Sequence, residues 1–67
     1  MTTQKDVYET ARQMNVKAKY VVGMCNFHWQ IVRMRDYAIL YEAECSEDHI
    51  KAELFSIGIS KEDVSFI

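Results

Sequence analysis

Apolar residues in the middle of this chain recur at every second position, while those on either side recur at every third or fourth. Period two belongs to a strand with one buried face, and period 3.6 to an amphipathic helix. The switch between them confines the fold to helices arranged around a central sheet. Val7, Ala11 and Met14 form a first helical stripe with Tyr8 beside it, opened by a Thr3–Asp6 capping box and stopped by Asn15. Tyr20-Val21-Val22-Gly23-Met24 is the first expected strand, and Phe27, Trp29 and Ile31 alternate with His28 and Gln30 in the second. Arg35-Asp36 is the expected turn, although it lacks the glycine that a tight hairpin prefers. Ile39, Tyr41, Ala43 and Cys45 then face the core, with Leu40, Glu42 and Glu44 outward. A helix over 37–45 competes, because Ala, Leu and Glu favour it, but the alternation selects a strand.

Ser46 caps a second helix whose buried stripe is Ile50, Leu54 and Ile57, with Phe55 alongside. Gly58 closes it in a Schellman turn that folds Ile59 back on Leu54. Residues 62–67 alternate weakly and add a last strand, with a short helix capped by Ser60 as the alternative. The predicted fold is α+β, one small domain over residues 1–67: N-terminal helix, three-stranded antiparallel meander, second helix, short C-terminal strand. Both helices are expected to pack on one face of the small sheet, with one helix on each face as the competing arrangement.

A chain of 67 residues buries only about 60% of its unfolded surface. Domains of this size often lean on a metal, a disulfide or a partner subunit. Two cysteines allow at most one disulfide, and Met1 is followed by polar residues instead of an apolar leader, so a reducing cytoplasm is expected. No apolar run approaches the roughly 18 residues of a membrane span. Residues 1–35 carry six Lys/Arg against two acids, and residues 36–67 carry two Lys against eight acids. Such an asymmetry can mark a basic and an acidic face, suited to steering a charged partner or to head-to-tail contact. The competing expectation is that the two halves intermix in space and the asymmetry vanishes.

Both cysteines and both histidines fall into two close pairs, Cys25/His28 and Cys45/His49. Thiolate and imidazole are zinc ligands, and an up-down-up meander brings all four to one end of the sheet, so a zinc-stabilised domain is one expectation. Cys45 also suits a hydrophobic staple onto Ile50, and His49 suits an ion pair with Glu53 one turn on. A catalytic Cys–His dyad has no third orienting group, and two glycines cannot build a phosphate loop. No enzyme activity is expected.

Tyr20, Phe27, Trp29, Arg33 and Arg35 mix aromatic and basic side chains, as single-strand nucleic-acid binders do. The acidic balance and the missing Lys/Arg-Gly-aromatic motif argue against that use. Val32, Met34, Tyr37 and Leu40 are left over once one sheet face is covered and, with Trp29, predict a protein interface. The expected function is a small non-catalytic binding module, a homodimer or an adaptor or inhibitor of a larger protein, of the accessory kind that phages and mobile elements carry.

Overall fold

The computed structural model describes residues 6–67. They form α1 (Val7–Gln13), β1 (Tyr20–Cys25), β2 (His28–Arg33), β3 (Ala38–Ala43), α2 (Glu47–Ile57), a single 3₁₀ turn (Lys61–Asp63) and β4 (Val64–Phe66). The fold is α+β in the expected element order. The sheet runs β3-β2-β1-β4. Its first three strands are an antiparallel meander, and β4 joins β1 in parallel, so the sheet is mixed.

The helices cover opposite faces of this sheet, which corrects the one-face expectation in favour of its competitor. Val7 and Ala11 of α1 pack on Val21 and Val32. Ile50 and Leu54 of α2 pack on Val22 and Ile31. Successive residues of a strand point to opposite faces, and Val21/Val22 and Ile31/Val32 supply one apolar side chain to each. Runs of adjacent apolar residues are the signature of a sheet covered on both sides. Gly23 lets α1 approach: a Cβ there would stand 3.0 Å from both Val7 Cγ1 and Ile67 Cγ1.

Local signals end the helices as the residues dictate. Asn15 adopts φ 60°, and Val16 donates its amide to the Ala11 carbonyl while Asn15 donates to Arg12, a Schellman turn with Asn at the left-handed position. The Thr3 half of the expected capping box lies outside the described residues, and Asp6 makes no side-chain cap bond. In α2 the Ser46 hydroxyl accepts the His49 amide, and Gly58, at φ 91°, closes the helix with Ile59 donating to Leu54. Ser60 caps the 3₁₀ turn, so both readings of the tail apply, the turn preceding the strand.

The third strand departs from strict alternation. A bulge lies where Ile31 pairs with Tyr41 and Val32 with Ile39. The extra residue, Leu40, joins Tyr41 in the α2 core, and Ile39 is exposed. One inserted residue thus reverses the inward and outward roles expected of Ile39 and Leu40.

Gly58→Ala tests the weight of the α2 cap. An added Cβ there meets nothing within 4 Å, so only the left-handed backbone is strained. Chemical denaturation should show a loss of about 1 kcal/mol, with unchanged stability as the contrary result.

Candidate binding surfaces

Cys25 and His28 are register partners at the far end of the β1–β2 hairpin, and β3 returns to that end. The sheet itself then separates the four candidate zinc ligands. Cys25 packs on the α1 face and Cys45 on the α2 face. His28 Nδ1 lies 2.9 Å from the Asn26 carbonyl. His49 Nε2 is 3.1 Å from the Tyr41 hydroxyl and 3.6 Å from Glu53 Oε1. Burial, with the Glu53 charge behind it, pushes the Tyr41 phenol up. Among the described residues no three His, Cys, Asp or Glu side chains gather as a metal-holding group. Cys45 shares the α2 core with Ile50, as a staple would have it.

The five expected interface residues do not make one surface. Val32 is fully buried, and Met34 packs beside it under α1. Trp29 and Leu40 pack on the α2 side. Tyr37 remains exposed, with its ring 5.1 Å from that of Tyr8. The aromatic–basic set divides too. Tyr20, Arg33 and Arg35 line one cavity at the start of β1, whereas Phe27 sits in the turn at the other end. The helices cover the middle of each face, and these five side chains do not share one sheet surface.

Phe27 was expected in a strand because it continues the Trp29–Ile31 alternation. Asn26 and Phe27 instead form a two-residue turn, both with positive φ (52° and 67°), the type I′ geometry that suits a right-twisted hairpin. Asn26 was the legible signal for that turn. Phe27 is 78% exposed, so its ring gains little burial for the strained backbone beneath it.

At the opposite end, Arg33 grips Asp36 with two hydrogen bonds of 2.9 and 2.7 Å across the β2–β3 turn. That pairing, helped by the Ala38 amide and the charges of Arg33 and Arg35, holds the Asp36 carboxyl down at about 2. On the α1 face, Gln30 is buried and donates Nε2 to Glu42 at 2.6 Å. Its Oε1 has no hydrogen-bond partner among the described residues. Gln30 lines a polar recess of about 400 Å³ with Cys25, His28 and Glu42.

The surface that alternation did not reveal lies along β4. Phe66 shares the α2 face with Val22, its register partner. Lys51 Nζ lies 6.0 Å from the Phe66 ring centroid, and Phe55 follows Lys51 by one turn on the same flank of α2. Phe55 is 87% exposed and Phe66 43%. Phe66 lies on β4 at the outer margin of the sheet, where among the described residues β4 pairs only with β1. No helix among the described residues is long and apolar enough to cross a membrane. The chain matches no protein-family model, no curated protein and no solved structure.

Two measurements follow from the turns. Phe27→Gly should stabilise the protein by about 0.5–1 kcal/mol in denaturant unfolding, because glycine accepts positive φ at little cost; destabilisation would mean that the Phe27 ring packs on something. The folded-state carboxyl of Asp36 lies below its usual 3.8, so its contribution to stability is complete above pH 4 and is lost as pH falls toward 2. Asp36→Asn should therefore lose less stability than the parent between pH 5 and pH 2. Equal acid losses in the two proteins would remove the pair from the account.

Proposed function

We propose that this chain is a non-catalytic protein-binding module whose docking surface is the β4 edge with Phe55 and Phe66, and that its occupant is a second copy of the same chain. The single observation that carries this is Phe55, a large aromatic almost wholly in water beside a sheet edge that has no outer neighbour among the described residues. Exposed strand edges are templates for pairing, and proteins normally blunt them. The β3 edge is blunted, by the bulge at Leu40 and by Glu42 and Glu44. The β4 edge is limited by its three-residue length and carries phenylalanine.

A second copy fits by symmetry. Antiparallel pairing of β4 with its copy about Ser65 sets Phe66 opposite Val64, both on the α2 face, and each α2 contributes Phe55 to the same seam. The need is also there, since only eight apolar side chains of the described residues form the buried core. Cys25 and Cys45 pack on opposite faces of the sheet.

Native mass spectrometry and sedimentation equilibrium of the purified chain should give a dimer. Phe55→Glu should raise its dissociation constant about 30-fold or more while leaving the circular dichroism spectrum intact, because Phe55 is outside the core. A chain that stays monomeric at high concentration defeats the proposal. So does a dimer indifferent to both Phe55→Glu and Phe66→Glu.

A further inference from the structure

Where β1 begins and β2 ends, four cationic side chains, Lys17, Lys19, Arg33 and Arg35, line a cavity of about 630 Å³ together with Tyr20 and Met34. We propose that this cavity is a binding site for a small organic phosphate, a ligand with two or more negative charges and a flat or apolar body. The site lies one strand in from the β4 seam, Tyr20 pairing with Val64, and all of its lining side chains lie outside β4.

The charge count sets the ligand's charge. Asp36 answers Arg33 at 2.7 Å, and Asp63 approaches Lys19 only to 4.0 Å, on a lysine that is largely in water. Asp36 also interacts with the charge of Arg35. Among the described residues the four cations that line the cavity are thus answered by Asp36 and Asp63, and the lining keeps a surplus of positive charge. Like charges brought together around one cavity repel until an anion enters, and phosphate accepts the forked guanidinium and the lysine ammonium alike. Asp36 also fixes the Arg33 guanidinium through two hydrogen bonds, so that group loses little freedom when a ligand arrives.

Size and surroundings select a small molecule. The volume lies in the range of pockets that hold drug-sized ligands, about 300–1,000 Å³. Tyr20 offers a ring face and Met34 an adaptable apolar wall. A nucleic-acid strand is disfavoured, because Tyr20 is the only aromatic side chain lining the cavity and the chain as a whole carries a net −2. The far end of the sheet leads into Glu42, Glu44, Glu47 and Asp48, which would repel an extended polyanion and direct a compact one to the basic end.

The test is an amide NMR titration at low salt with three probes: inorganic pyrophosphate, adenosine diphosphate and a short thymidine oligonucleotide. Saturating shifts confined to residues 17–20 and 33–36 are expected with the first two. Adenosine diphosphate should bind more tightly than pyrophosphate through contact with Tyr20. The exposed pair Lys17→Gln and Arg35→Gln, made together, should weaken both by about tenfold or more at an unchanged melting temperature. If the pair melts early, Lys17→Gln alone carries the comparison. Shifts that never saturate, or an equal response to a glutamate-rich peptide, overturn the site. An oligonucleotide that outcompetes adenosine diphosphate overturns the small-molecule assignment in favour of nucleic acid.

Discussion

One four-stranded sheet has two faces to keep dry, and the described residues offer only two helices, of seven and eleven residues, to do it. The rest of the structure depends on that constraint. Each helix commits its stripe to the middle of the sheet, α1 to β1 and β2, α2 to the same two strands from the other side. The centre is therefore sealed, with Val21, Val22, Ile31 and Val32 fully buried. The margins are covered by whatever reaches them. Gly23 is part of the solution, because removing one Cβ lets Val7 and Ile67 sit against the strand and seat α1 closely enough to close its face.

The same constraint explains which parts of the fold were legible in the sequence. Helix limits were local matters, settled by Asn15, Ser46 and Gly58 through backbone bonds that any observer of the sequence can anticipate. The face each helix takes was not local. It is visible only in that Val21/Val22 and Ile31/Val32 are adjacent apolar pairs, a signal that alternation-based pairing of Trp29 with Ile31 masked. Once α1 crosses to the second face, Val32 and Met34 pass from surplus to core, and the inferred interface dissolves. The bulge at Leu40 was hidden for a related reason: a one-residue insertion leaves composition unchanged and alters only phase.

The Cys–His pairs show how one-dimensional proximity misleads in a sheet. Cys25 and His28 are register partners at one end of the meander, and β3 returns beside them. A strand residue, however, must also choose a face. Cys25 follows Val21 and Gly23 to the α1 side, whereas Cys45 follows Tyr41 and Ala43 to the α2 side, so the thickness of the sheet stands between the thiols. A shared metal needs agreement in end and in face, and the second condition fails.

Charge is organised along the strands where apolar surface is organised across them. The meander sends Lys19 and Arg33 to one end and Glu42 and Glu44 to the other, so the basic and acidic halves of the chain intermix only in part. Asp36, Glu62 and Asp63 stand at the basic end, Asp36 beside Arg33 and Asp63 beside Lys19. They moderate the field without abolishing it. Exposed ion pairs of this kind add little stability, so their physical effect is to hold side chains in place and to set how much positive charge remains. The apolar demand decides that the sheet is buried in its middle and bare at β4. Within that frame the strand ends are the positions free of packing duty, and that freedom is what allows cations to be concentrated at one of them.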